Sequence, residues 1–153
     1  MSDIYLGNPN LKKANTQQSF TEEHVKEFLK CKNDPVYFTE KHIRIVNVDE
    51  GLVHFNMYKF QKKLLKNFHK HRFNICKMPR QTGKSTTVVS YLLHYAIFND
   101  NVNIGILANK AATARDLLGR LQLAYENLPS WMQQGIIAWN KGSMELENGS
   151  KII

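Results

Sequence analysis

The stretch Lys77-Met78-Pro79-Arg80-Gln81-Thr82-Gly83-Lys84-Ser85-Thr86-Thr87 constrains the fold of this chain more than any other. Just before it, Phe73-Asn74-Ile75-Cys76 alternates as a short buried strand does. Just after it, Val88, Val89, Leu92, Leu93 and Ala96 recur at helical spacing. A strand, a tight loop and then Gly83-Lys84-Ser85 opening a helix is the context that makes a short motif a phosphate site. The first N–H groups of a helix have no internal partner, and the helix dipole favours negative charge there. In this reading Lys84 reaches the β- and γ-phosphates of a nucleotide, and the Ser85 hydroxyl takes one Mg²⁺ position. The pattern G-x-x-x-x-G-K-[ST] has Met78 at its first glycine, so a surface turn capped by Ser85 and Thr86 is the alternative.

At 153 residues, the chain is long enough for one domain with a core of its own. No apolar run approaches the roughly 20 residues of a membrane span, and the N-terminus has neither a signal core nor the pattern of a transit peptide. Lys and Arg number 21 against 13 Asp and Glu, a net charge of +8. That excess suits a polyanion such as nucleic acid, and it equally suits a solvated basic surface. Cys31 and Cys76 are the two cysteines, one expected in a helix and one in the strand before the loop; reduced thiols are expected rather than a disulfide or a metal site.

Residues 1–18 are polar and carry no hydrophobic period, which predicts a mobile arm. A helical and hairpin segment is expected over 19–57. Thr21 followed by Glu22 and Glu23 starts a helix with Val25, Phe28 and Leu29 on its inner face, and Asn33-Asp34-Pro35 ends it and starts another. Ile43–Val48 and Leu52–Phe55 flank Asp49-Glu50-Gly51, a hairpin with Gly51 at positive φ. Val46-Asn47-Val48-Asp49-Glu50 also resembles the apolar strand ending in Asp-Glu that holds Mg²⁺ in many phosphate-loop ATPases; the interruptions at Arg44 and Asn47 favour the turn.

A third region, 58–153, carries the motif. Tyr58–Lys70 fits a helix with Phe60, Leu64, Leu65 and Phe68 inward and Lys59, Lys62, Lys63, Lys66 and Lys70 outward. His69 and His71 have no companions at ligand spacing. Val102–Ala108 reads as a second core strand, and Ala114, Leu117, Leu118, Leu121, Ala124, Tyr125 and Leu128 draw a helix that stops at Pro129. Strand, helix, strand, helix predicts a parallel crossover unit. Short strands are expected at Ile136–Trp139, Ser143–Glu147 and Lys151–Ile153, the last two joined by a two-residue turn at Asn148-Gly149.

These residues, in order, resemble the large terminase subunits of tailed bacteriophages, especially those of large contractile-tailed phages. The resemblance is carried by Asp34-Pro35-Val36-Tyr37-Phe38, Phe60-Gln61, Arg80-Gln81-Thr82-Gly83-Lys84-Ser85-Thr86, Gly105-Ile106-Leu107-Ala108-Asn109-Lys110, Trp139-Asn140-Lys141-Gly142-Ser143 and Glu145-Leu146-Glu147-Asn148-Gly149-Ser150. That family commonly has Arg-Gln-x-Gly-Lys-[Ser/Thr] with no leading glycine, which accounts for Met78.

The resemblance implies an α/β, RecA/ASCE-like phosphate-loop fold with a parallel-sheet core, incomplete here and preceded by the helical and hairpin segment. It implies a motor that hydrolyses ATP with Mg²⁺ to package double-stranded DNA, with portal protein and small terminase subunit as partners. A ring on the portal and a location in host cytoplasm, transiently at the prohead portal, go with it. Arg80 would act in cis on the γ-phosphate beside Lys84. Phe60 and Gln61 would take the places of the adenine-recognising aromatic and Gln, by stacking and by amide hydrogen bonds. Gln81, Thr82, Gly83, Ser85 and Thr86 would complete the phosphate cradle, with Ser85 the metal ligand. The Asp-Glu strand and the nuclease carboxylates of a complete large subunit have no counterpart in these 153 residues, so the chain alone is expected to turn ATP over negligibly. The other readings are a helicase-like phosphate-loop ATPase, which also carries an aromatic-Gln element, and a non-catalytic basic nucleic-acid-binding module.

Overall fold

The computed structural model describes residues 3–153. In chain order it has β1 (Ile4–Tyr5), β2 (Asn8–Lys12), α1 (Glu22–Asn33), α2 (Pro35–His42), β3 (Arg44–Asn47) and β4 (Gly51–His54). Then follow α3 (Lys59–Lys70), α4 (Lys84–Phe98), β5 (Asn103–Ile104), α5 (Ala111–Glu126), β6 (Ile136–Trp139), β7 (Met144–Leu146) and β8 (Lys151–Ile152). The class is mixed α/β with small sheets. No helix among the described residues is long and apolar enough to cross a membrane.

The helix α4 is the axle of the molecule. Its Leu93, His94, Ala96, Ile97 and Phe98 are buried, and α2, α3 and α5 all pack on it. Such all-round burial explains why α4 is rich in Val, Leu, Ile and aromatics and has no charged residue after Lys84. α1 and α2 meet where the sequence predicts: Thr21 caps α1 through the His24 N–H, and Asp34 Oδ1 accepts from Val36 and Tyr37 N–H at 2.9 and 3.1 Å with Pro35 in the first turn. The inner face of α1 differs from expectation. Val25 and Leu29 are about half exposed, while Cys31 is fully buried and Phe28 packs edge-on against Phe98. The helix therefore presents to the core the stripe one residue round from the aliphatic one.

β3 and β4 form the expected hairpin, with Asn47 paired to Gly51 and Gly51 at φ 74°. Asp49 and Glu50 thus sit in a turn and not at the end of a buried strand. The expected arm at residues 1–18 is a correction. Residues 1 and 2 lie outside the described residues, but β1 and β2 pair as a second hairpin, and Leu11 is buried. Gln133 pins this hairpin down: its Oε1 accepts from Lys12 N–H, and its Nε2 donates to the carbonyls of Asn10, Tyr125 and Leu128.

The parallel-sheet core expected around the phosphate loop is not built among the described residues. Residues 73–77 carry no strand hydrogen bonds, with Phe73 82 % exposed and Ile75 fully so. A strand exists only through the hydrogen bonds of its neighbours, and none of the eight strands pairs with this segment. The largest sheet instead runs β5-β8-β7-β6, with β5 parallel to β8 and the rest antiparallel. β5 is shorter than the expected Val102–Ala108: the ladder reaches Ile106, whose N–H donates to Ile153 O, and Leu107 beyond it is exposed. The β7–β8 connection is also longer than two residues, because Leu146 N–H pairs with Ser150 O around Gly149 at φ 79°.

Candidate nucleotide site

The loop 79–83 ends in Gly83, whose φ of 72° puts the residue before α4 in the left-handed region; Gln81 is left-handed too, at 60°. The positive φ favours glycine at 83, and a Cβ there would also displace the Gln61 amide from Thr82 O. The Thr82 hydroxyl donates to Pro79 O at 3.1 Å, closing the loop on itself, and Thr87 Oγ1 donates to Gly83 O at 2.9 Å, fastening it to the first turn of α4. By helix geometry the N–H groups of the first turn have no internal acceptor, and they point out of the loop as a site for anionic oxygen.

Gln61 is the bolt between this loop and α3. It is buried, its Oε1 accepts from Tyr58 N–H at 2.9 Å, and its Nε2 donates to Thr82 O at 3.1 Å. Both ends of the amide are therefore spent within the protein. Phe60, expected on the inner face of α3, is 44 % exposed and stacks on Tyr58 with ring centres 5.8 Å apart. Two aromatic planes thus stand beside the loop.

An open cleft of about 870 Å³ lies between the β3–β4 hairpin, the start of α3 and the loop. Of the residues expected at the site, Phe60, Gln61, Gln81, Thr82, Gly83 and Thr86 all line it. Lys84 and Ser85 face an apolar hollow of about 280 Å³ on the other side, bounded by Leu64, Cys76, Val88, Leu92, Ile106 and Leu117. The Lys84 ammonium donates to Met78 O at 3.2 Å, threading the loop it would serve. Arg80 is exposed and makes no hydrogen bond or ion pair among the described residues. The Ser85 hydroxyl likewise makes no hydrogen bond among the described residues.

The sequence places Glu50 in a hairpin turn without linking that turn to the loop; in the structure Glu50 lines the same cleft as the loop from that turn. The sequence reading missed Tyr58, whose exposed ring doubles the aromatic surface. The i, i+2 spacing of Tyr58 and Phe60 across a helix start was the available signal.

A family model described as terminase large subunit, T4likevirus-type, N-terminal matches residues 75–153, a little over half of the chain. The match takes in the loop 79–83, α4, α5 and the β5–β8 sheet; Phe60 and Gln61 lie before it.

Proposed function

This chain belongs to the terminase large-subunit family, in its T4likevirus-type N-terminal form, and we propose that it is the nucleotide-binding portion of a motor that couples ATP hydrolysis to packaging of double-stranded DNA. The observation that carries the nucleotide reading is the left-handed Gly83 opening α4 beside an aromatic-walled cleft. A bound ATP·Mg²⁺ would supply the phosphoryl group and its countercharge. Gly83 lets the backbone approach the phosphates, and the N–H groups of Lys84, Ser85 and Thr86 donate to them. Lys84, which now donates to Met78 O, would hold phosphate oxygen, and the Ser85 hydroxyl would hold the ion. Arg80, exposed and unpaired among the described residues on the same loop, would meet charge developing on the transferred group. Tyr58 and Phe60 offer the purine a stacking face. Gln61 holds the loop at Thr82, so its contribution is to position the cradle. DNA, portal protein and small subunit are the partners this reading brings, in host cytoplasm and at the prohead portal.

Lys84→Ala tests it. The change removes the one ammonium threaded through the loop, and charge-assisted bonds of this kind are each worth about 1.5 to 3 kcal/mol, so ATP affinity should fall at least roughly tenfold. Equal affinity of both forms for labelled ATP would remove the assignment. Turnover by the chain alone is expected to be negligible, because Glu50 is the lone carboxylate lining the cleft among the described residues and phosphoryl transfer needs both a metal-holding Asp and a group orienting water.

A further inference from the structure

The helices α1 and α2 meet at a polar knot that the nucleotide site does not use. Glu27 and Cys31 are one turn apart on α1 and so share a face, and the sharp turn at Asp34 brings His42 from the end of α2 against them. Glu27 Oε1 lies 2.9 Å from His42 Nε2 and accepts from Cys31 Sγ at 3.7 Å. Sulfur, imidazole nitrogen and carboxylate oxygen all lie within 4.8 Å of one another. Lys41 completes the knot with its ammonium 2.9 Å from Glu27 Oε1, and Tyr37 donates its hydroxyl to Oε2 at 3.0 Å.

We propose that Glu27, Cys31 and His42 form a binding site for a zinc-class divalent cation, held by thiolate, imidazole and carboxylate with a fourth position left to water. One sulfur, one nitrogen and one oxygen are donors that Zn²⁺ takes at about 2.3, 2.0 and 2.1 Å, which places the donor atoms of a tetrahedral site about 3.3 to 3.6 Å apart. To reach that geometry the Glu27–His42 contact must open from 2.9 Å and the Glu27–Cys31 contact close from 3.7 Å, with side-chain rotation bringing the sulfur and imidazole nitrogen together from within 4.8 Å. Mg²⁺ and Ca²⁺ demand oxygen shells and are not suited to this set. Charge balances as well: thiolate and carboxylate neutralise the two positive charges, the imidazole staying neutral.

In the metal-free chain, Lys41 supplies the positive charge that Glu27 requires. On binding, the Cys31 S–H bond breaks and its proton passes to solvent, a sulfur–metal bond forms, and Lys41 withdraws from Oε1 into water. The Lys41 side chain is half exposed on a flexible stem, so its departure opens the path by which the ion enters. Because the Cys31 thiol must lose its proton to ligate, binding releases that proton and strengthens as pH rises. In the metal-free chain the His42 Nε2–H donates to Glu27 Oε1, so ligation also needs the imidazole to give up that proton to solvent and take one at Nδ1, which leaves the ring neutral with its Nε2 lone pair on the ion. The bound ion would staple α1 to α2 directly beneath α4, whose His94 Nε2 lies 2.8 Å from Cys31 O.

Cobalt(II) is the probe. The Cys76→Ser chain keeps Cys31 as its single thiol and leaves the cluster untouched. Stripped with chelator and titrated with Co²⁺, it should develop a thiolate-to-cobalt charge-transfer band in the near ultraviolet that saturates at one equivalent and is displaced by Zn²⁺. His42→Ala and Glu27→Gln, added singly, should weaken Co²⁺ binding by more than about tenfold, the loss that follows removal of even an outer-sphere partner, with the far-ultraviolet circular dichroism unchanged. No charge-transfer band in the Cys76→Ser chain would overturn the proposal. So would a band that neither second substitution weakens.

Discussion

At the scale of single residues, two buried polar side chains stand out because their hydrogen bonds identify what they do. Gln61 is committed at both ends, to Tyr58 N–H and Thr82 O. If its work is to hold the loop, Gln61→Leu should weaken ATP and GTP binding alike; if it reads the base, only ATP should suffer. Matched titrations of the two nucleotides should show equal losses. His94 is the second. Its Nε2 meets Cys31 O, its Nδ1 has no partner, and burial pushes the imidazole down to about 4 against the opposing pull of that carbonyl. A histidine depressed in the folded state contributes stability that is present above its unfolded value of 6.5 and is lost as pH falls toward 4. The loss across that window is on the order of 3 kcal/mol. Thermal melts of the wild-type chain should therefore drop between pH 6.5 and 4, and His94→Phe should flatten the drop, leaving the smaller share of His42, which burial also depresses.

At the scale of elements, what pins α4 at its two ends decides the fold. At the start it is Gly83 and the loop; at the end it is a loop from the far side of the chain. Asn148 Nδ2 donates to Ala96 O at 2.9 Å and Asn99 O at 3.2 Å, and Ser150 Oγ donates to Asn99 O at 2.8 Å. These are carbonyls that the helix itself cannot satisfy. Asn148→Ala should leave the Ala96 carbonyl unpaired, Asn99 O keeping its bond from Ser150, at a cost of about 1 to 2 kcal/mol, seen as a melting temperature lower by roughly 3 to 6 °C. The sequence marked Asn148-Gly149 only as a hairpin turn, because a turn signal is local while a cap across 50 residues is not. The helices, their caps at Thr21 and Asp34 and the β3–β4 hairpin were legible for the same reason: each is set by chemistry within four residues. The strand at 73–76 was misread because alternation states that a segment could pair, not that a partner exists. The hairpin at 4–12 was missed because its one core residue, Leu11, is held by Gln133 from the other end of the chain. At the site, the loop residues were legible as a motif; Glu50 was not, since only the folded hairpin brings it to the cleft.

At the scale of the whole molecule, the net charge of +8 is unevenly used. On α3, Lys62 is tied to Glu40 at 2.6 Å, whereas Lys59, Lys63, Lys66 and Lys70 are exposed and make no ion pair among the described residues. Gln61, the loop's bolt, lies in the first turn of α3, so the lysine face and one wall of the cleft are carried by the same helix. A motor that grips a DNA backbone needs such a coupling, and a solvated surface does not. The two possibilities separate on salt dependence. Each phosphate neutralised releases counterion and contributes about −0.9 to the slope of log K against log salt. Four lysines engaged together predict a slope near −3.6, or roughly a hundredfold loss of affinity between 50 and 200 mM salt. Fluorescence anisotropy with two unrelated duplexes should give the same slope for both, because phosphate contacts carry no sequence information. Changing Lys59, Lys63, Lys66 and Lys70 to Gln should flatten that slope while leaving ATP affinity in place. A slope unmoved by the four substitutions would assign the face to solvent and shift DNA contact to another part of the surface.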